Sequence, residues 1–258
     1  MTSKLTHLSC FSGIGGIDRG GELAGFETIG QIELADYPYQ ILCKHWPTVE
    51  KWRNICEVDG KQIIKKIGIP TLISGGFPCQ DVSIAGKQKG VVNGKRSSLF
   101  GELIRIVDEI KPKWVLIENV SQLCKNGLPI VLCNLTRIGY DAEWYTIRAS
   151  SAGANHRRKR TFIISYPRGS GLQRGEQGLF PALAQGYGSS YLSTSTLSRS
   201  WERDGVPTPR ICRAVDGIPN RVHRIECLGN AVVPQQVYPI FKAIADIEIE
   251  KDLNSNND

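Results

Sequence analysis

Four short constellations in this chain place reactive residue types at turns. Gly75-Gly76-Phe77-Pro78-Cys79-Gln80-Asp81 follows an apolar run and sets a cysteine in a Gly/Pro loop. A thiol in such a loop is exposed, and a nearby helix N-terminus or cation favours its nucleophilic thiolate. A lone cysteine is more often structural, but the next stretch argues for function. Ser83, Gly86, Lys87, Lys89, Gly90, Gly94, Lys95 and Arg96 supply three glycines and four cations, the make-up of a hinged lid that closes over an anion. Glu118, in Glu118-Asn119-Val120, ends the apolar run Trp114–Ile117. A carboxyl there loses hydration, its pKa rises, and it becomes suited to proton donation, a helix cap being the plainer alternative. His156-Arg157-Arg158-Lys159-Arg160 concentrates basic residues at the entry of a strand. Period-2 geometry turns Arg158 and Arg160 to one face and Arg157 and Lys159 to the other, so one pair can reach a site while the other meets phosphates. A solvated basic run is the plainer reading.

The remaining constellation is Phe11-Ser12-Gly13-Ile14-Gly15-Gly16, after a strand and before a helix. Glycines there let backbone approach a ligand at a helix N-terminus. A dinucleotide fingerprint would need glycine where Asp18 stands, so the pattern does not fit a pyrophosphate turn, and an NAD-dependent oxidoreductase is disfavoured. Glu33 lies 20 residues beyond Gly13, placed to accept hydrogen bonds from ribose hydroxyls. Together they suggest a nucleoside-bearing ligand without a pyrophosphate; a glycine turn beside a satisfied acid is the bland counterpart.

The elements that must position these residues alternate. Leu5–Phe11, Glu27–Leu34, Pro70–Ser74 and Lys113–Asn119 read as strands, with helices at Tyr37–His45 and Ser97–Ile110. Tyr140–Ala149 and Arg160–Tyr166 suit an antiparallel pair, and Pro234–Ile249 a final helix. The expected class is α/β: a Rossmann-like, mostly parallel sheet with helices on both faces. Residues 168–210 turn to Gly, Ser, Thr, Gln and Arg with poor periodicity, which reads as a small loop-rich lobe. The expected organisation is a catalytic domain over 1–166, a recognition region over 167–220, a returning segment over 221–250 and a tail over 251–258.

Composition sets the outer bounds. With 258 residues, 41% hydrophobic and 22% charged, the chain can bury a sizeable core and is not a disordered polymer. Its strongest apolar runs are strand-sized, far short of the ~20 residues of a membrane span. Met1 to Leu8 lacks an apolar signal core, so a cytoplasmic protein is expected. Eight cysteines without a C-x-x-C pair argue against a zinc site and read as reduced thiols. Residues 151–245 hold 13 Lys and Arg, 11 of them arginine, against 5 acids, which suggests a polyanionic partner.

In their order, and with Gly229-Asn230-Ala231-Val232-Val233-Pro234 near the end, these elements closely resemble the cytosine-C5 DNA methyltransferases over nearly all of 5–165 and 221–245. The resemblance implies a Rossmann-like catalytic domain, a small target-recognition domain, S-adenosylmethionine as cofactor and no metal. It implies that Phe11, Gly13, Gly15, Pro78 and Asn230 line the cofactor pocket, that Glu33 binds the ribose, and that Asn54-Ile55 lies against adenine. Cys79 is then the nucleophile at C6 of cytosine, Glu118 the proton donor to N3, Arg160 the holder of the base carbonyl, and Arg158 a support for the adduct. Ser83, Lys87, Lys89, Arg96 and Arg157 are candidates for the DNA backbone, and Arg199, Arg203, Arg210 and Arg213 for groove or phosphate contacts. The implied partner is double-stranded DNA bound by a monomer of prokaryotic or viral origin, with a cognate restriction endonuclease acting on the same sequences without direct contact.

The sequence departs from the family pattern at four places. Asn155-His156 stands where Pro-Gln is common, Asn54 where Asp is commoner, and Ala231 where serine follows Gly-Asn. The stretch between Pro167 and Pro219 is short and matches no recognition lobe. None of these removes a reacting group. The alternatives are an RNA-directed enzyme, as in tRNA-methylating relatives, and a catalytically silent DNA-binding paralogue.

Overall fold

A computed structural model describes residues 4–78, 99–154, 156–170, 172, 180 and 221–255. Seven strands form one sheet in the order β3-β2-β1-β4-β5-β7-β6. They are β1 (Thr6–Cys10), β2 (Glu27–Ile32), β3 (Glu50–Trp52), β4 (Leu72–Gly75), β5 (Trp114–Val120), β6 (Tyr140–Arg148) and β7 (Lys159–Pro167). The first five pair in parallel, while β7 runs antiparallel to both β5 and β6. β4 is buried throughout and β5 from Trp114 to Asn119, as expected for central strands covered on both faces.

The helices among the described residues are α1 (Gly16–Leu23), α2 (Asp36–His45), α3 (Gly60–Ile67), α4 (Leu99–Ile110), α5 (Leu123–Asn126), α6 (Leu128–Arg137), α7 (Arg221–Asn230) and α8 (Pro234–Ser255). One core joins Leu8, Ile73, Val115 and Ile117 of the sheet to Ile63, Leu103, Val107, Val131 and Leu135 of α3, α4 and α6. The opposite core joins Leu72, Trp114, Leu116, Phe162 and Ile164 to Ile17, Val237, Phe241 and Ile244 of α1 and α8. The α/β class with helices on both faces is therefore as expected.

The strand and helix positions read from sequence hold to within a few residues; β3, α3, α5, α6 and α7 are additions, and α8 is longer than expected. β3 is only three residues long and carries no apolar alternation. α3 is started by a reciprocal capping box, Asp59 accepting from Gln62 N while the Gln62 side chain accepts from Asp59 N. α8 runs on to Ser255 beyond the expected Ile249. Its continuation is secured by Glu248, 2% exposed, which accepts from Trp114 Nε1 at 3.0 Å and pairs with Lys113 Nζ at 2.7 Å.

Asp18 is fully buried on α1 beneath the glycine turn. Ser9 Oγ donates to its Oδ2 at 3.0 Å and Gln31 Nε2 to its Oδ1 at 2.8 Å. Burial nonetheless pushes this carboxyl up to about 6. A group raised in the folded state stabilises below its unfolded pKa, and that contribution is lost as pH rises through its folded value. Relative to Asp18→Asn, the urea midpoint of the wild type should therefore fall between about pH 4 and about pH 7, because the contributions of the other buried groups, His7 and Glu118 among them, are common to both profiles. The variant's amide can meet Gln31 Oε1, which has no partner among the described residues. An equally steep profile in the variant would contradict this account.

Candidate active site

Strand order reverses between β1 and β4, and in such sheets a crevice opens beyond the carboxyl ends at that point. A cleft of about 880 Å3 lies there. The turn after β1, the ends of β2, β4 and β5, the start of β7 and one side of α7 all contribute to its lining. The turn is strained where it meets the cleft: Phe11 adopts φ 54 and Gly13 φ 55, left-handed conformations that glycine tolerates and phenylalanine does not favour. It is pinned to β2, since Ser12 N donates to Ile32 O at 3.1 Å and Gly13 N to Glu33 Oε2 at 2.8 Å. Glu33 Oε1 accepts from Ala35 N at 2.8 Å. Each Glu33 oxygen thus holds one backbone N–H and keeps a second lone-pair direction for a ligand hydroxyl.

Of the residues that the resemblance assigns to the cofactor, Phe11, Gly13, Glu33, Asn54, Ile55, Pro78 and Asn230 line this cleft. Gly15 does not. Its left-handed backbone at φ 82 precedes α1, and a Cβ there would collide with the Trp46 ring, so its place is in packing behind the cleft. Asn54 satisfies its own turn: Oδ1 accepts from Cys56 N at 3.1 Å and Nδ2 donates to Glu57 Oε1 at 2.7 Å.

At the other end of the cleft stand Glu118 and Arg160, paired at 2.6 Å between Oε1 and Nε and nearly buried together. The approach is a charge pair whose N–H is not directed at the oxygen, and Oε1 has no aligned hydrogen bond among the described residues. Burial pushes the Glu118 carboxyl up to about 7, opposed by the Arg160 charge. The group is thus partly protonated near neutrality, where both donation and acceptance are available to it. Gly76 makes room for this carboxyl, since a Cβ there would stand 3.0 Å from Oε2. Asn119, buried, donates from Nδ2 to Phe77 O at 3.0 Å and so ties the end of β5 to the segment leading to Pro78.

Arg158 lies elsewhere. Its Nη1 donates to Leu228 O of α7 at 3.2 Å, and its buried Nε and Nη2 have no hydrogen-bond partner among the described residues. It does not line the cleft. Arg157 and His156 are exposed. Cys79, Ser83, Lys87, Lys89, Arg96, Arg199, Arg203, Arg210 and Arg213 lie outside the described residues. The cysteines that are described and shifted all favour the thiol: burial pushes Cys10 up to about 12, and Cys56 and Cys227 upward.

Sequence reasoning missed the contribution of α7. His223, Glu226 and Cys227 line the cleft beside Asn230, spaced to share one helical face. His223 stacks on Tyr37 with centroids 5.7 Å apart at 22°, and Arg224 Nε approaches Tyr37 Oη at 3.4 Å. The 3–4 spacing ahead of Gly229-Asn230 was the available signal. Tyr37, Asp36 and Arg53 were missed as well, and nothing in their local pattern marks them.

A family model described as C-5 cytosine-specific DNA methylase matches residues 5–198. The Type II methyltransferase M.CviJI of Paramecium bursaria Chlorella virus IL3A is 33% identical over 160 residues, 61% of this chain and 42% of that protein. The Type II methyltransferase M.NgoFVII of Neisseria gonorrhoeae is 30% identical over 206 residues, 72% of this chain and 52% of that protein. The chain thus spans about half, or less, of the length of these curated relatives. Among solved structures, S. pombe Dnmt2 methyltransferase aligns with a TM-score of 0.55 at 18% identity, over 70% of this chain and 56% of that one. Spodoptera frugiperda DNMT2 aligns with a TM-score of 0.54 at 20% identity, over 66% and 52%. At these identities the likeness is one of fold.

The Glu118–Arg160 pair can be probed directly. Arg160 favours the charged carboxylate, so Arg160→Met should raise the Glu118 pKa above its wild-type value of about 7. Carbon-13 NMR titration of labelled glutamate, with Glu118→Gln identifying the resonance, reads this out. A lower or unchanged midpoint would show that the guanidinium does not act on the carboxyl.

Proposed function

The chain belongs to the C-5 cytosine-specific DNA methylase family, and from that premise we propose that it transfers a methyl group from S-adenosylmethionine to C5 of a cytosine flipped out of double-stranded DNA. The observation that carries the reading is the buried Glu118 carboxyl, poised near neutrality beside Arg160 and opening on the same cleft as Glu33 and the Phe11–Gly16 turn.

The residues fit the cofactor. A cleft of about 880 Å3 falls among those that bury ligands of that size. Glu33 offers acceptors to ribose hydroxyls, and Gly13 leaves its backbone open on the ligand side, with nothing within 4 Å of the point a Cβ would occupy. Phe11, Asn54, Ile55 and Asn230 supply the remaining surfaces. S-adenosylmethionine supplies, when bound, a methyl group on a positively charged sulfur.

The chemistry asked of the protein is to make C5 nucleophilic. The Cys79 thiolate, one residue past the cleft-lining Pro78, adds to C6 of the ring. Glu118 delivers a proton to N3 as electrons move onto it, which leaves C5 enamine-like and able to take the methyl group. Arg160 holds the Glu118 carboxyl and the base carbonyl. Loss of the C5 proton to a base then expels the thiolate from C6, N3 returns its proton to Glu118, and the aromatic ring is restored. Neither N3 nor C6 is reachable in this way within a stacked pair, so the base leaves the helix. Lys87, Lys89, Arg96 and Arg157 are proposed to bind the DNA backbone, with a role in restriction–modification or DNA protection in keeping with relatives named as Type II methyltransferases.

Duplex DNA carrying 5-fluorocytosine, offered with cofactor, should become linked to the protein at Cys79, because fluorine cannot leave as the C5 proton does. Cys79→Ala should lose methyl transfer and the adduct while still binding S-adenosylhomocysteine. Glu118→Gln should lower kcat by about 10²–10⁴-fold. Full methyl transfer by Cys79→Ala would end this mechanism. The wild-type rate should also decline above about pH 7 as the Glu118 proton is lost.

A further inference from the structure

We propose that Arg105, which lies outside the cleft, is the positioning residue for its nucleoside-binding wall. The inference rests on the reading of the cleft as a site for S-adenosylmethionine. That cleft has a reacting end, with Pro78, Glu118 and Arg160, and an opposite end, with Leu34, Asn54 and Ile55. The methyl group must face the reacting end, so the nucleoside lies toward the other.

The wall at that opposite end is a poor scaffold by itself. Between β3 and α3 the chain forms only a three-residue 3₁₀ turn, Ile55–Glu57, too short to hold its own carbonyls. Arg105 of α4 holds them from behind. Its Nη2 donates to Ile55 O at 2.9 Å and to Val58 O at 3.0 Å. Its Nε donates to Glu102 Oε2 at 2.7 Å, and its Nη1 to both oxygens of Glu109 at 3.1 Å. All three guanidinium nitrogens thus meet acceptors, two backbone carbonyls on one and a carboxylate on each of the others, an arrangement that an ammonium with three donors at one point cannot reproduce.

The two acids aim the fork. Glu102 is 9% exposed, and Glu109 Oε2 also accepts from Gly60 N at 2.6 Å, clamping the start of α3 to α4. A Cβ at Gly60 would stand 2.6 Å from Glu109 Cβ, so the two elements are pressed together at this point. Leu99, at the start of the same α4, lines the cleft directly. One helix therefore touches the ligand at its first residue and braces the nucleoside wall two turns later. An ordinary exposed ion pair would contribute little; the backbone carbonyls are what make this one consequential.

Calorimetry with S-adenosylhomocysteine tests the assignment without turnover. In Arg105→Met and Arg105→Lys, Kd should rise by about tenfold or more, since both lose the hydrogen bonds to Ile55 O and Val58 O. At saturating cofactor kcat should stay within about twofold of wild type, so the effect appears in the cofactor KM. Duplex binding without cofactor should not change. Folded variants with a wild-type Kd would overturn the proposal, whereas a wild type that binds no S-adenosylhomocysteine would instead overturn the cofactor reading beneath it. Should the variants not fold, hydrogen exchange on the wild type decides. S-adenosylhomocysteine should slow exchange in 54–60 together with the part of α4 around Arg105; slowed exchange in 54–60 with unchanged exchange around Arg105 would refute the assignment, whereas unchanged exchange in 54–60 would refute the placing of the nucleoside at this wall.

Discussion

The architecture depends on one close approach, the seating of α8 on the glycine face of α1. Side chains at Gly20 and Gly21 would strike Val237 and Phe241, with Phe241 Cε1 only 2.8 Å from a Cβ at Gly21. Gly16 is similarly closed against the Val232 carbonyl. A helix can approach another this closely only where there are no side chains to hold it away. The consequence is that residues more than 200 positions apart meet beside the cleft, and Asn230, Ala231 and Val232 complete the wall begun by the Phe11–Gly16 turn. Other anchors keep α8 from sliding. Gln236 Nε2 donates to Ile147 O at 3.0 Å at one end, and Glu248 meets Trp114 and Lys113 at the other.

The antiparallel strand β7 solves a separate problem. Parallel strands bring only their carboxyl ends to this edge, and each would add residues leaving the sheet. Because β7 runs the other way, its first residues arrive at the carboxyl end of β5. The register pairs Glu118 with Phe162 and Val120 with Arg160. Residues two apart on a strand share a face, so Arg160 projects beside Glu118. A cation supplied by a rigid strand costs less ordering entropy than one on a loop, and its distance from the carboxyl is set by sheet geometry.

Much of this was legible in the residues. β4, β5 and α4 announce themselves through apolar runs and a 3–4 period, because burial on both faces, or on one helical stripe, leaves that imprint. The cleft residues after β1, β2, β4 and β5 were legible for a related reason: they follow strands at one edge of a parallel sheet. What could not be read depends on contacts between distant segments. Gly15 looked like part of a ligand turn, yet its missing side chain leaves room for the Trp46 ring just past the end of α2. Arg158 looked like the partner of Arg160, but a carbonyl on α7 captures its guanidinium. Arg105 was not singled out from the sequence, because nothing in its helical pattern sets it apart. Its significance lies in carbonyls some 50 positions earlier.

Two buried acids in this fold are raised by the same cause, and comparing them separates architecture from chemistry. Asp18 has both oxygens satisfied, by Ser9 and Gln31, and does not line the cleft. Those hydrogen bonds favour the carboxylate and oppose the rise that burial causes, so this acid ties β1, β2 and α1 together beneath the glycine turn. Glu118 has a nearby cation but no aligned donor on Oε1 among the described residues, and it faces a cleft. Leaving a buried carboxylate incompletely bonded costs stability, on the order of 1–3 kcal/mol for an unsatisfied polar group. A fold selected for stability alone would complete that shell or replace the pair with apolar residues. The deficit is relieved only when a proton or a base occupies the site, and a raised pKa with an open coordination shell is what proton transfer to a ring nitrogen requires.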